Sequence, residues 1–206
     1  ALLAHRLDPN DPVQGVKAGL KARRASYICP TDDEFRNALM EREIYRLRHR
    51  LTLLEALENH GSREPTNTED YTIEHILPQN ENLSGIWQEM LGENWRETQR
   101  TWVHRLGNLT LTGYNSRYSD RPFLEKKSID GGFDESSVRL NRFVREQSQW
   151  TEKEISQRGE NLAARALEIW PQLQVEESAI EDAKRADLME RGRGRSVEAV
   201  EMDTRA

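Results

Sequence analysis

One histidine at the end of a predicted strand, followed by two asparagines, is the set of residues in this sequence best suited to chemistry. The histidine is His75, in the run Tyr71-Thr-Ile-Glu-His-Ile-Leu-Pro-Gln79. The asparagines are Asn108, in Leu106-Gly-Asn-Leu-Thr-Leu-Thr112, and Asn115 just beyond it. Hydrolysing a phosphodiester requires an activated water, compensation for charge building on the phosphate, and help for the leaving oxygen. One histidine and one divalent cation supply all three, the cation at the oxygens and the histidine at the water's proton. An imidazole of unperturbed pKa ~6.5 is neutral and accepting near pH 7.

The other polar residues around this set divide by role. Asn115 offers an amide oxygen of the kind Mg²⁺ or Mn²⁺ accepts, with waters filling most of the coordination sphere. Glu74 is the second candidate ligand. Neighbouring strand residues face opposite sides, so Glu74 and His75 share one metal only where the strand twists or ends. The Asn108 amide can bridge strands and fix the loop that carries His75. His104 suits a ligand, a phosphate contact or a helix-end cap. Arg117, Arg121, Lys126 and Lys127 suit a phosphate clamp, or simply a solubilising helix surface. Each has a plain structural reading too: a partly buried sheet histidine, a turn asparagine, a loop asparagine.

The elements that must position these residues follow from the patterning. A short strand ending near Pro78, a second strand over 106–112 and a helix opening near Pro122 give the order strand, strand, helix. Upstream, Thr31-Asp-Asp-Glu34 reads as a capping box. Behind it Phe35, Ala38, Leu39, Ile44, Leu47, Leu51 and Leu54 repeat at helical spacing, as one helix or as two broken near Met40. Asn59-His60-Gly61 ends that pattern. Two short helices, around Trp87–Leu91 and Trp95–Val103, lie between the strands. After Gly131-Gly132, Ser136 or Ser137 is expected to cap a helix carrying Val138, Leu140, Phe143 and Val144. Thr151-Glu-Lys-Glu154 is a second capping box, opening a helix whose apolar face runs from Ile155 to Trp170 and which Pro171 follows.

The expected architecture is α+β and mostly α-helical, with a small ββα-metal motif embedded among helices. Residues 1–62 form an N-terminal helical segment whose first 25 residues are weakly organised, leading from an upstream domain. Residues 63–171 form the ββα domain, and 172–206 a charged, partly disordered tail whose Arg191–Arg195 stretch is read as solvated.

Composition narrows the class. Across 206 residues, 35% are hydrophobic and 32% charged, and the net charge of −6 argues against coating nucleic acid by bulk attraction. A local basic stretch remains: residues 100–127 hold six Arg or Lys against two Asp or Glu. Cys29 is the single cysteine, which excludes a disulfide framework and a cysteine-based zinc site. No apolar run approaches the ~20 residues of a membrane span, and the opening residues lack the order of a signal peptide, so a cytoplasmic protein is expected.

Taken together, Ile73-Glu-His-Ile-Leu-Pro-Gln79, His104-Arg-Leu-Gly-Asn-Leu-Thr-Leu111, Asn115, Phe123 and Lys126-Lys127 resemble the C-terminal HNH-type (His-Me finger) domain of GmrSD-like restriction proteins. Trp150-Thr151, Ile155, Arg158, Leu162 and Ile169-Trp170-Pro171 continue the pattern. The resemblance implies a nuclease acting on modified foreign DNA in bacterial defence, downstream of a ParB-like nucleotide-hydrolysing domain. It implies His75 as general base, Asn108 as the central structural asparagine, Asn115 as metal ligand, and Glu74 where many relatives carry a metal-binding aspartate. CxxC zinc knuckles are missing, so the added helices must hold the motif. The alternatives are a non-catalytic DNA-binding or protein-docking module that keeps the scaffold, and an RNase, since nothing here reads the 2′-hydroxyl.

Overall fold

The computed structural model describes residues 11–22, 29–186, 188 and 189. The chain divides into two compact units, one of residues 1–31 with 172–206 and the other Asp32–Pro171. In the first, α1 (Pro12–Lys21) is a regular helix where weak organisation was expected. Asp11 caps it, accepting from the Gln14 N–H at 3.0 Å, and Pro12 starts it where a missing N–H does no harm. Residues 177–186 are helical as well, within a stretch expected to be disordered in part. Arg191–Arg195 lie outside the described residues. Among the described residues, no helix is long and apolar enough to cross a membrane.

The second unit holds the candidate site and has the mostly helical α+β architecture. The predicted upstream helix is two, α2 (Asp32–Glu41) and α3 (Arg50–Asn59), separated by a 3₁₀ turn at Ile44–Arg46. That break buries Ile44 and lets the Tyr45 N–H reach the His104 carbonyl at 3.2 Å. The strands β1 (Thr72–His75) and β2 (Leu109–Thr112) form one antiparallel pair, with His75 opposite Leu109 and Glu74 opposite Thr110. Between them run α4 (Gly85–Leu91) and α5 (Trp95–Trp102), and Gly92, at φ 79°, ends α4 in a conformation side chains disfavour.

Past β2 come α6 (Asn115–Tyr118), α7 (Phe123–Ser128), α8 (Arg142–Glu146) and α9 (Glu152–Ile169). The helix expected over Val138–Val144 is split. A 3₁₀ turn, Arg139–Asn141, precedes α8 because the Glu58 carboxylate accepts both the Arg139 and Leu140 N–H groups at 2.8 Å. α9 begins with the predicted capping box, Glu154 accepting from the Thr151 N–H at 2.9 Å.

Two apolar clusters fill the unit. Leu39, Leu54 and Leu57 from the upstream helices pack with Leu109, Leu111 and the Leu162–Ala166 face of α9. The boundary expected at residue 62 therefore falls inside one core. The second cluster joins Ile76, Leu77, Trp87, Phe123 and Trp150. Between the clusters α9 presses onto the turn before β2. A Cβ on Gly107 would stand 1.9 Å from the Ile155 carbonyl oxygen, so only glycine fits there. Arg158, buried, donates to the Gly107, Leu109 and Leu140 carbonyls at 2.7, 2.8 and 3.1 Å. Burial pushes its pKa down to about 9.

Candidate active site

His75 is the last residue of β1. Asn108 is the reason the chain turns there. It ends a 3₁₀ turn, Leu106–Asn108, rather than starting the strand. Its carbonyl accepts from the Ile76 N–H at 3.1 Å, and its side-chain oxygen from the Leu77 N–H at 2.7 Å. Its amide nitrogen donates to the Leu77 and Val103 carbonyls, each at 2.9 Å. The Trp150 indole N–H donates to the same side-chain oxygen at 3.0 Å. A fully buried amide with every group used holds the strand end, α5 and Trp150 in one arrangement.

The His75 ring, 4% exposed, lies against two aromatic partners. Tyr45 meets it edge-on at 4.4 Å between centroids and stacks on His104 at 5.3 Å. His75 Nε2 is 3.2 Å from His104 Nδ1, so one ring donates to the other. Burial, then the neighbouring His104 and Lys126, bring the His75 pKa down to about 3, and the ring is neutral at physiological pH. Burial and Arg46 lower that of His104, against the opposing pull of Glu43. Beyond His104 opens a polar cleft of about 470 Å³, bordered by Arg46, Arg96 and Arg100 among others.

The Glu74 side chain leaves the strand on the other face and does not meet the His75 ring. Its Oε1 accepts from Lys126 Nζ at 2.6 Å, and the same ammonium donates to the His75 carbonyl at 2.9 Å. Both side chains are buried, Glu74 at 4% exposure and Lys126 at 0%. Burial raises the Glu74 pKa to about 7, against the pull of Lys126, and Asp120 adds to the rise. Burial likewise lowers Lys126 against the pull of Glu74. Burial pushes each toward its neutral form, and the other opposes that push.

Lys126 was expected on an exposed phosphate-binding surface; it is instead the buried tie between β1 and α7. The rest of that expected clamp is also engaged. Lys127, with a 14% exposed side chain, donates to the Arg145 and Gln147 carbonyls at 2.6 and 2.8 Å. Arg117 pairs with Asp130 at 2.5 Å and Arg121 with Glu125. Of the predicted residues, His75, His104 and Asn108 come together, while Glu74 and Lys126 pair on the opposite face. Tyr45, Arg46 and Arg96 were not singled out in the sequence. Their place depends on how the 3₁₀ turn and α5 meet, which no local pattern announces.

Two of the predicted residues, Asn115 and Glu74, carry oxygen atoms that bear on a divalent cation. The Asn115 amide nitrogen donates to the Ile73 carbonyl at 3.0 Å, which fixes the amide. Glu74 is a carboxyl that its lysine compensates incompletely. Among the described residues, no three His, Cys, Asp or Glu side chains converge as a metal site. The one carboxylate of the two, Glu74, is already engaged by the Lys126 ammonium at 2.6 Å.

No curated protein and no solved structure matches the chain. Residues 29–165, which include the hairpin, the His75–His104 pair and most of α9, match the family of GmrSD restriction endonucleases, C-terminal domain, and the chain belongs to that family of restriction nucleases.

Proposed function

We propose that the chain is an HNH-type, metal-dependent endonuclease domain that nicks or cleaves modified or foreign DNA. The observation that carries this reading is the His75–His104 contact at 3.2 Å, with His75 at a strand end locked by Asn108. The neutral imidazole presents an acceptor nitrogen; burial, which lowers its pKa to about 3, makes it a weak base, and the negative charge of a bound phosphate would favour its protonated form. His75 is the general base, and His104, which borders the cleft, is the ring through which the proton reaches it. Asn108 acts as a positioning residue, because it fixes the backbone that follows His75. Tyr45 holds both rings at a set angle.

Asn115 and Glu74 would hold the divalent cation, Mg²⁺ or Mn²⁺. Since Glu74 and His75 leave β1 on opposite faces, such a cation would offset charge on the phosphate and leaving oxygens only where the DNA backbone passes the end of the strand. The Lys126 ammonium beside Glu74 would give way to it or share the carboxylate. A cytoplasmic setting and an upstream ParB-like nucleotide-hydrolysing domain belong to the same reading.

Supercoiled plasmid incubated with Mg²⁺ or Mn²⁺, and in parallel with EDTA, tests the activity. Conversion to nicked or linear DNA is expected with metal and none with EDTA; equal cutting in EDTA would exclude the metal. Manganese binding followed by electron paramagnetic resonance gives a readout free of turnover. Asn115→Ala is expected to weaken that binding, and identical titration curves would remove Asn115 from the site.

A further inference from the structure

We infer that the cleft in front of His104 seats a DNA phosphodiester, with Arg46, Arg96 and Arg100 as its phosphate contacts. This rests on the nuclease reading above and names where the substrate backbone lies. Arg96, Arg100 and His104 follow one another at intervals of four, so α5 and the turn after it present them on one side. The cleft of about 470 Å³ that they border is open and polar, of the size that admits a nucleotide-sized group.

The state of these charges separates them from the cations elsewhere. Arg100 is exposed and makes no ion pair among the described residues. The Arg96 guanidinium lies 4.2 Å from the centre of the Trp95 ring, which orders it without neutralising it. Arg46 pairs through Nε with Glu43 at 2.7 Å, leaving its terminal nitrogens for a bidentate contact. That pair is largely exposed, and pairs of this kind contribute little, so a phosphate can replace it. Glu43 and Glu81 also border the cleft, so three guanidinium groups face two carboxylates. By contrast Lys126, buried, and Lys127, partly buried, are held by partners within the protein, and Arg117 and Arg121 pair with Asp130 and Glu125 and do not border this cleft.

The cleft wall is also tied to the His75 strand end. The Gln99 amide, on α5, donates to the Pro78 and Asn80 carbonyls at 2.8 Å each. A phosphate held by α5 is thereby held at a fixed distance from the His75–His104 pair.

Fluorescence anisotropy of a fluorescein-labelled 20-base-pair duplex, in EDTA and across a chloride series, decides the matter without cleavage. Each phosphate contact contributes ~0.9 to the slope of log affinity against log salt, so Arg96→Gln with Arg100→Gln is expected to flatten it by about 1.8. Adding Arg46→Gln is expected to bring the loss to about 2.7. Arg117→Gln with Arg121→Gln is expected to leave the slope unchanged, and melting of each variant confirms that it is folded. An unchanged slope in the Arg96 and Arg100 variant, with the duplex still bound, overturns the inference and leaves the nuclease reading standing. A wild-type protein that binds no duplex at low salt overturns both. Inorganic phosphate is expected to compete no better than chloride of equal ionic strength; stronger competition would mark a free-phosphate site and overturn the inference.

Discussion

Glu74 and His75 are neighbours in β1, and the two sides of the hairpin treat their charges in opposite ways. On the Glu74 side a carboxyl and the Lys126 amino group, 2.6 Å apart, are sealed from water. On the His75 side the buried ring is neutral, and the cations lie outward, around an open polar cleft. A buried pair of charges is bound to structure, since separating it leaves one charge without solvent or partner. An arginine at a cleft mouth is free to meet a ligand. Proximity to the histidine in sequence therefore says little about which cations serve a substrate; burial and prior partners decide it.

Removing the hub behind His75 is expected to have the largest effect on this contrast. Asn108→Ala leaves the Leu77 N–H and the Trp150 indole N–H without acceptors, at about 1–3 kcal/mol for each orphaned donor. Urea denaturation should show a loss of on the order of 2–6 kcal/mol. A loss under about 0.5 kcal/mol would mean that Asn108 does not hold the two sides together.

Lys126→Met tests the sealed side. Breaking a buried pair by removing one partner costs about 3–5 kcal/mol, whereas truncating an exposed arginine such as Arg100 is expected to stay within about 0.5 kcal/mol. Equal small losses for Lys126→Met and Arg100→Ala would erase the distinction between the two sides.

A smaller effect distinguishes the sides by pH. His75 has a folded pKa of about 3 against an ordinary 6.5, so on acidification the unfolded chain binds the proton first. Its contribution to stability is complete above pH 6.5 and is lost as pH falls toward 3. Glu74, raised from 4.5 to about 7, contributes the reverse: stability present below pH 4.5 and lost as pH rises through 7. His75→Gln is therefore expected to gain on the wild type between pH 6.5 and 4, with a slope approaching about 1.4 kcal/mol per pH unit. Parallel stability curves would mean that the ring is not held neutral.

The parts legible in the sequence are those written locally. Thr151 and Glu154 are three residues apart, and their capping box forms as read. The two short helices around Trp87 and Trp95 announce themselves by spacing and by Gly92. Asn108 is readable as a bridge because glycine precedes it and a strand follows. What escapes is set by distant partners. Lys126 and Lys127 are adjacent basic residues that look like a surface pair, yet Glu74, 52 residues away in the chain, draws one of them into the interior. The expected helix over Val138–Val144 has the right apolar spacing, but the Glu58 carboxylate competes for its first N–H groups. Tyr45 looks like one more apolar helix residue until the 3₁₀ turn brings it against both histidines.

The most direct measurement is single-turnover cleavage of a labelled DNA duplex at saturating Mg²⁺ by the wild type and His75→Ala, with melting and duplex binding recorded on the same samples. The expected result is a rate lower by ~10²–10⁴-fold with duplex binding nearly unchanged and a lowered melting temperature from the cavity left by the buried ring, since loss of a general base acts on the chemical step. Cleavage by His75→Ala at the wild-type rate would contradict the assignment of His75 as the base.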